Sequence, residues 1–271
     1  MAELLLEDGQ SIHYQETGKG SPVLLVHGLG APSAFLAATA EGLARDHRVV
    51  TFDLRGHGRT PLGTGPVGID RCAADLHAVA GKLDLRAVTL VGWSLGATVA
   101  YRYLERYGAQ RVARLVSVEQ SPYLLYEDGW EHAAFGRLTA ADAETVRQNL
   151  AGTDRAVAAD QVAGYFAEGT VPDPDLLARL ADAVATCSPA ARQQLWQDVV
   201  RQDWRERLAA LPVPVLFVHG ARSRIYPSAV GSRLADTVPG ARLEVFENSG
   251  HLPFLEEPER FQRTIRSWVA R

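Results

Sequence analysis

The sequence predicts an α/β fold in which a mostly parallel β-sheet carries helices on both faces and a helical segment is inserted late in the chain. Two observations indicate this architecture. Short runs of apolar, often β-branched residues recur along the chain, and amphipathic stretches separate most of them. Between residues 121 and 210 the apolar runs disappear and only helical spacing remains.

The strand-like segments are of two kinds. An Asp8-Gly9 pair between two short segments predicts an antiparallel hairpin near the amino terminus. The later runs are continuously apolar, as in strands covered on both faces, and they are Pro22–Val26, Arg48–Phe52, Val88–Val91, Val112–Val118, Pro214–Val218 and Arg242–Phe246. Amphipathic stretches that suit helices lie at Ile69–Leu83, Leu95–Tyr107, Ser228–Thr237 and Pro258–Arg271. This alternation favours right-handed crossovers and a mostly parallel sheet.

The segment 121–210 carries four stretches with helical spacing of large apolar side chains, namely Ala140–Leu150, Asp154–Glu168, Asp173–Thr186 and Pro189–Leu208. Prolines stand where two of these helices should begin. We therefore predict a core made of residues 1–120 and 211–271 and a helical insertion made of residues 121–210. A separate carboxy-terminal helical domain is the alternative, and the strand-like run at Pro214 argues against it.

Length and charge narrow the classes of function. A chain of 271 residues suits one large domain, or one domain with an insertion. Its 28 basic and 32 acidic side chains are mixed along the sequence and leave a net charge of −4, so nucleic acid is a poor candidate partner. The amino terminus lacks the basic region of a signal peptide, and no apolar run reaches the ~18 residues of a membrane span. We expect a cytoplasmic protein that acts on a small molecule.

The two cysteines, Cys72 and Cys187, are too far apart in sequence to form a zinc-binding pair. We expect both to be reduced, buried thiols. No other pattern indicates a metal ligand set or a cofactor-binding loop, so we expect a site that works without either.

A nucleophile motif follows one of the predicted strands. Gly92-Trp93-Ser94-Leu95-Gly96 comes directly after Val88–Val91 and opens the next predicted helix. Such a sharp strand-to-helix turn lifts the serine hydroxyl clear of the sheet, and small residues two positions away on either side prevent backbone clashes. The motif alone is weak evidence for a nucleophilic serine. Here, however, a predicted strand precedes it and a predicted helix follows it, as such a serine requires.

Two further loops carry groups that such a serine needs. His27-Gly28-Leu29-Gly30 follows the strand Pro22–Val26, and its glycines permit a turn that points a backbone N–H into the site. The amides of Leu29 and Leu95 are therefore candidates for holding a developing oxyanion, whereas we interpret His27 as structural. His251, in the loop between the last strand and the last helix, is the candidate general base.

Together, these motifs resemble the α/β-hydrolase fold family, and the resemblance covers the chain apart from residues 121–210. The residues that carry it are His27-Gly28, Asp53-Leu54-Arg55-Gly56-His57-Gly58, Gly92-Trp93-Ser94-Leu95-Gly96 and Gly250-His251. The resemblance implies a serine, an acid and a histidine in that order, and it implies that the helical insertion is a cap that shapes the substrate pocket.

The sequence departs from the family pattern at the acid. The family usually places an aspartate after the seventh strand, where this chain has Ser223. Glu119, at the end of the sixth strand, is similar to the acid of family branches that supply it from there, and we predict that it orients His251. Its alternative role is a structural strand-end carboxylate. We expect Asp53 to be structural, and Glu247 lies too close in sequence to His251 to orient its ring.

These residues predict a serine hydrolase that cleaves an ester, lactone or thioester of a small-to-medium, largely apolar substrate through an acyl-enzyme on Ser94. We expect Trp93 and Tyr123 to form walls of the pocket. Aromatic residues of the insertion, Trp130, Phe135, Tyr165, Phe166, Trp196 and Trp204, are expected to belong mainly to its own core. Two alternatives remain open: a non-hydrolytic enzyme of this fold, such as a lyase or a cofactor-free oxygenase, and a ligand-binding receptor.

Overall fold

The computed structural model describes residues 2–127 and 129–270. An eight-stranded sheet runs through it in the order β1-β2-β4-β3-β5-β6-β7-β8. The strands are β1 (Ala2–Leu5), β2 (Ser11–Thr17), β3 (Ser21–Val26), β4 (His47–Phe52), β5 (Val88–Trp93), β6 (Val112–Val118), β7 (Val215–Gly220) and β8 (Arg242–Phe246). Each strand predicted from the sequence is present, with ends that differ by two residues or fewer.

The pairing confirms the predicted sheet. β1 and β2 form the antiparallel hairpin, and β2 pairs antiparallel with β4. All remaining neighbours pair in parallel, so the carboxyl ends of β3, β5, β6, β7 and β8 lie at one edge of the sheet. In an open α/β sheet, that edge is where ligands bind.

Helices connect the strands. They are α1 (Ala37–Leu43), α2 (Ile69–Lys82), α3 (Leu95–Tyr107), α4 (Ala140–Asn149), α5 (Arg155–Ala163), α6 (Pro174–Ala185), α7 (Pro189–Val200), α8 (Ala229–Thr237), α9 (Pro253–Glu256) and α10 (Pro258–Val269). Short 3-10 helices cover Ser33–Leu36 and Arg207–Ala210. Neither α1 nor α9 was predicted from the sequence, because α1 is a short run of small residues without a clear apolar stripe and α9 is a single turn.

Two apolar layers cover the sheet, one on each face. Strand β3 shows how they arise: Leu24 and Val26 belong to one layer, and the alternating residues Val23 and Leu25 belong to the other. All four side chains are almost completely buried. A continuously apolar strand is therefore packed on both sides, as the sequence pattern indicated.

The segment between β6 and β7 contains α4 to α7 and no strand within its described residues. Helix α5 packs on α6 and α4 packs on α7, while α7 also contacts α2. Asp173 and Ser188 cap α6 and α7 through their side chains, with a proline directly following each. The predicted helix Pro189–Leu208 corresponds to α7, which ends at Val200. The division into a core and an insertion at residues 121 and 210 remains a prediction.

Candidate active site

Ser94 sits at the tip of a strained turn between β5 and α3. Its backbone has φ 53° and ψ −122°, a conformation that residues other than glycine rarely adopt. The turn is tight enough to require both glycines of the motif, because a Cβ on Gly92 would lie 2.5 Å from the Gly96 carbonyl oxygen and a Cβ on Gly96 would lie 2.3 Å from that of Val26. The strain is thus held in place by β3, β5 and α3 packing closely around the serine.

His251 lies in the loop after β8 and is hydrogen-bonded to Glu119. The distance from its Nδ1 to Glu119 Oε2 is 2.9 Å, and both side chains are buried. Because a carboxylate only accepts hydrogen bonds, this contact places the proton on Nδ1 and leaves Nε2 as the basic nitrogen. Two contacts fix the backbone of His251: its N–H donates to the Tyr165 carbonyl at 2.7 Å, and its carbonyl accepts from Trp93 Nε1 at 2.9 Å.

Glu119 directly follows β6, with φ 48°, and is completely buried. Its Oε1 accepts from the Gly220 N–H at 2.8 Å and lies 3.3 Å from Nδ1 of His219. Burial alone would raise the pKa of this carboxyl group, but the hydrogen bonds with His219 and His251 outweigh it and lower the pKa to about 2. Glu119 is therefore a buried carboxylate that stays ionised at neutral pH.

Ser223, at the position where an aspartate was expected, contacts the same carboxylate. Its Oγ donates to Glu119 Oε2 at 2.7 Å and accepts from the backbone N–H groups of Ile225 and Tyr226. The loop after β7 thus supplies a hydrogen-bond donor in place of an acid. Oε2 receives both Ser223 and His251, so the serine fixes the carboxylate oxygen that faces the histidine.

Asp53 has other contacts. Its carboxylate accepts from the backbone N–H groups of Ser33 at 2.9 Å and Arg59 at 3.0 Å, and it lies 3.1 Å from Nδ1 of His13. These groups belong to the loops that follow β3 and β4 and to β2. The carboxylate therefore holds loops together and does not contact His251.

Two buried histidines shape the loop that contains Leu29. His57 Nε2 accepts from the Gly30 N–H at 3.0 Å, and His27 Nε2 accepts from the Leu54 N–H at 2.9 Å. Burial, together with the neighbouring His27, lowers the pKa of His57 to about 3, so its ring is neutral and can accept this bond. Leu29 faces the cavity described next. Leu95 opens α3, where the first N–H groups of a helix lack intrahelical acceptors.

A cavity of about 510 Å³ opens above Ser94 and His251. The core contributes Leu29, Trp93, Ser94, Arg224, Ile225, Tyr226 and His251 to its lining. The insertion contributes Leu124, Ala134, Phe135, Val146, Asn149, Leu150, Val157, Asp160, Gln161, Gly164, Tyr165 and Trp196. The cavity is therefore mainly apolar and enclosed by both parts of the chain.

The aromatic residues divide differently from the sequence-based expectation. Trp93 lines the cavity, as do Phe135, Tyr165 and Trp196 from the insertion. Tyr123, which was expected to form a wall, is not among the lining residues. Its hydroxyl donates to Glu127, and the Arg205 guanidinium lies 4.3 Å from its ring centroid. Leu124, the next residue in the chain, does line the cavity.

Tyr226 and Gln120 were not predicted from the sequence. Gln120 contacts the backbone of Ser94, and Tyr226 contacts Gln120. Gln120 Nε2 donates to the Ser94 carbonyl at 3.1 Å and to Thr98 Oγ1 at 2.7 Å, while its Oε1 accepts from the Tyr226 hydroxyl at 2.5 Å. Tyr226 lines the cavity together with Ser94, and burial raises the pKa of its hydroxyl. The only signal available was the position of Tyr226, three residues after Ser223 in a loop at the active edge of the sheet.

Glu256 was also missed, and it joins the histidine loop to the insertion. Its carboxylate accepts from the Ala167 N–H at 2.6 Å and from the Gly250 N–H at 2.8 Å. Burial raises the pKa of this carboxyl group. The position of His251 therefore depends on the insertion as well as on the sheet.

Within residues 2–127 and 129–270, no group of three or more His, Cys, Asp or Glu side chains could hold a metal ion. Cys72 and Cys187 are both buried and unpaired with each other, and burial raises the pKa of both thiols. No helix in the same described part of the chain is long and apolar enough to cross a bilayer.

Known proteins share both the sequence pattern and the fold. The family model described as "alpha/beta hydrolase fold" matches residues 21–258. A pimeloyl-[acyl-carrier protein] methyl ester esterase of Neisseria meningitidis serogroup C is 32% identical over 257 residues, which cover 91% of this chain and 93% of that protein. The protein of the same name from Aromatoleum aromaticum is 33% identical over 242 residues, covering 88% and 93%. An esterase from Exiguobacterium antarcticum superposes with a TM-score of 0.92, with 25% identity and 99% of both chains covered.

The chain therefore belongs to the α/β-hydrolase fold family. Within that family, its similarity to esterases identifies it as a hydrolase that acts on ester bonds.

Proposed function

We propose that this protein is a serine hydrolase that cleaves a carboxylic ester, lactone or thioester through an acyl-enzyme on Ser94. The observation that carries the proposal is that Ser94 and His251 meet at one cavity and that Glu119 is hydrogen-bonded to the histidine. Ser94 and His251 both line the cavity, and the histidine is held by a buried carboxylate. A serine nucleophile, a histidine base and an acid that orients the histidine are the three groups that this covalent route requires.

The first half of the reaction forms the acyl-enzyme. Nε2 of His251 takes the proton of Ser94 Oγ, and that oxygen attacks the carbonyl carbon to form a tetrahedral intermediate. The negative charge that develops on the carbonyl oxygen is held by the amides of Leu29 and Leu95. The intermediate collapses when His251 passes its proton to the leaving alcohol, thiol or ring oxygen, and the acyl group stays on Ser94.

The second half repeats these steps with water. His251 removes a proton from water, the hydroxide attacks the acyl carbonyl, and His251 returns the proton to Ser94 Oγ as the acid leaves. In each half the imidazole becomes positively charged for a moment. Glu119 stabilises that charge because it is already ionised, buried and hydrogen-bonded to Nδ1.

The lining of the cavity supports an acyl substrate of small to medium size. A volume of about 510 Å³ suits a ligand of that class, and the walls are mostly aliphatic and aromatic. Residues of the insertion form more than half of the lining, so we propose that residues 121–210 act as a cap that sets substrate choice. No cofactor or metal takes part in the proposed steps.

Replacement of the nucleophile tests the proposal. Ser94→Ala should lower kcat/KM for 4-nitrophenyl butyrate by about 10³-fold or more, since the covalent route is lost. Ser228→Ala is the matched control, because Ser228 is exposed and makes no side-chain capping bond. If Ser94→Ala keeps most of the activity while remaining folded, Ser94 is not the nucleophile and hydrolysis does not proceed through an acyl-enzyme on this residue.

A further inference from the structure

Arg192, on α7, is a buried cation without a carboxylate partner. The residue is only 5% exposed. One of its terminal nitrogens donates to the Gly152 carbonyl at 2.5 Å, whereas Nε is buried and has no hydrogen-bond partner. Among the ion pairs of the described residues, none involves Arg192.

A buried arginine without an anionic partner is unusual in a folded protein. A guanidinium group carries five N–H donors and keeps its proton at any physiological pH. Arginine is rarely buried unless a carboxylate or a phosphate compensates its charge. Burial lowers the pKa of Arg192, with only weak opposing effects from Cys187 and Tyr165. The folded protein therefore holds a positive charge that its own residues do not neutralise.

Arg192 also lies close to the candidate active site. A Cβ built on Gly30 would be 3.2 Å from Arg192 Cδ, and Gly30 is the residue after Leu29, whose amide is a candidate oxyanion donor. The side chain borders a small cavity of about 20 Å³, enough for one water-sized group. Three residues line both this small cavity and the main one: Asn149, Val157 and Gln161. The two spaces are therefore neighbours.

The acidic residues nearby do not compensate Arg192. Asp154 lines the small cavity, but its carboxylate accepts from the Ala156 N–H at 2.7 Å and caps α5. Asp160 lines the main cavity and not the small one. The positive charge of Arg192 therefore favours an anion at the end of the main cavity that adjoins the small one. The negative charge of Asp160 disfavours an anion beside that residue.

We propose that Arg192 binds a carboxylate carried by the substrate. This inference rests on the proposed function and deepens it, because it names the substrate class: an ester or lactone that bears a second, ionised carboxylate a few bonds from the reacting carbonyl. One carboxylate oxygen enters the small cavity beside the guanidinium group, and the apolar remainder of the substrate occupies the main cavity.

A pair of substrates that differ only in this charge tests the proposal. Mono-4-nitrophenyl adipate carries a free carboxylate, and methyl 4-nitrophenyl adipate has the same chain length without the charge. We expect Arg192→Met to lower the ratio of kcat/KM for the charged over the neutral substrate at least tenfold, while activity on the neutral substrate stays within about threefold. Arg192→Lys, which keeps the charge, should recover part of the ratio. An unchanged ratio in Arg192→Met would overturn the proposal.

A binding measurement separates this inference from the proposed function. In a Ser94→Ala background, where no acyl-enzyme can form, adipate dianion should raise the melting temperature by several degrees and dimethyl adipate should not. The Ser94→Ala/Arg192→Met protein should show no adipate shift. If both proteins respond equally to adipate, or neither responds, Arg192 is not a carboxylate site, whatever the outcome for Ser94.

Discussion

The hydroxyl of Ser223 donates a hydrogen bond of 2.7 Å to Oε2 of Glu119. The two residues come from different strand ends, β7 and β6, and they meet under His251. The β7 loop, which usually supplies the acid in this family, therefore contacts the carboxylate that we propose as the acid. That carboxylate follows the neighbouring strand, β6. The serine adds a donor to an oxygen that already faces the histidine, which favours the ionised form of Glu119.

Loss of the Glu119 carboxylate should cost most of the activity. Glu119→Gln keeps the shape of the side chain but cannot stabilise an imidazolium, so we expect kcat for an activated ester to fall by about 10³- to 10⁴-fold with little change in KM. Steady-state kinetics on 4-nitrophenyl butyrate measures this. Glu247→Gln is the control, because Glu247 lies close to His251 in sequence but is exposed. Equal, small effects in both variants would remove Glu119 from the mechanism.

A carboxylate placed after β7 should be able to replace the one that follows β6. Glu119→Gly removes the carboxylate and suits the positive φ of 48° at that position. Adding Ser223→Asp returns a carboxylate from the β7 loop into the vacated space. We expect the double variant to recover at least about tenfold of the kcat lost in Glu119→Gly, because the oxygen position near Nδ1 is restored. A double variant no more active than the single one would show that the β7 loop cannot reach His251.

Close packing between the histidine loop and the insertion should make Gly250 sensitive to a single methyl group. A Cβ there would lie 2.7 Å from the Ala167 backbone nitrogen, so backbone must shift. We expect Gly250→Ala to lower stability by about 1–3 kcal/mol and kcat by more than tenfold, because overpacking displaces His251. Gly81→Ala in α2 is the control, since a Cβ there meets nothing within 4 Å and alanine favours a helix. Urea unfolding and kinetics of both variants test this.

The Tyr226 hydroxyl should matter for Ser94 more than for substrate binding. Tyr226→Phe removes the donor to Gln120 Oε1 and the polar group beside the nucleophile. We expect kcat to fall by about fivefold with a nearly constant KM, as for the loss of one buried hydrogen bond worth about 1 kcal/mol. Tyr126→Phe, at a partly exposed ring outside the cavity, should behave like the unmodified protein. A rise in KM at constant kcat would instead assign Tyr226 to substrate binding.

Buried neutral histidines should make the protein less stable in mild acid. The pKa of His57 is lowered to about 3 by burial and by the neighbouring His27, and an unfolded histidine has a pKa of about 6.5. The unfolded chain thus binds more protons below pH 6.5, so stability falls as the pH falls. For His57 the cost reaches about 2 kcal/mol at pH 5. Urea unfolding of His57→Gln over this range should show a shallower pH dependence; an equal slope would contradict the role of His57.

Glu119 acts in a different pH window. Its pKa of about 2 lies below the value of about 4.3 for an unfolded glutamate, so its stabilising contribution is complete above pH 4.3 and is lost as the pH falls towards 2. Protonation of Glu119 should therefore cause no loss of activity between pH 7 and 5, as a pH profile of kcat for 4-nitrophenyl butyrate can test.

The sheet and the positions of Ser94, Glu119 and His251 could be predicted because each rests on a local pattern. A buried strand is continuously apolar, and Ser94 lies in a motif that only a strand-to-helix turn explains. The parallel sheet then brings the loop residues to one edge. Glu119 could be proposed only because Ser223 stood at the usual acid position.

The lining of the cavity could not be predicted in the same way. Tyr123 follows β6 closely, yet the neighbouring residue Leu124 is the one that lines the cavity. Trp196 has the helical spacing of a core residue, and which part of its ring meets the cavity depends on how α7 packs on α4. Arg192 is one of many arginines in the sequence, and only its burial without a partner distinguishes it. These properties depend on packing between distant segments.

Covalent labelling of the nucleophile tests the central proposal most directly. The protein is treated with a fluorophosphonate, and the adduct is measured by intact mass and located by peptide mapping. We expect one adduct per chain, on Ser94, formed much more slowly in His251→Ala and absent in Ser94→Ala. A protein that hydrolyses esters but gives no adduct on Ser94, or one that carries it on another residue, would contradict the acyl-enzyme mechanism.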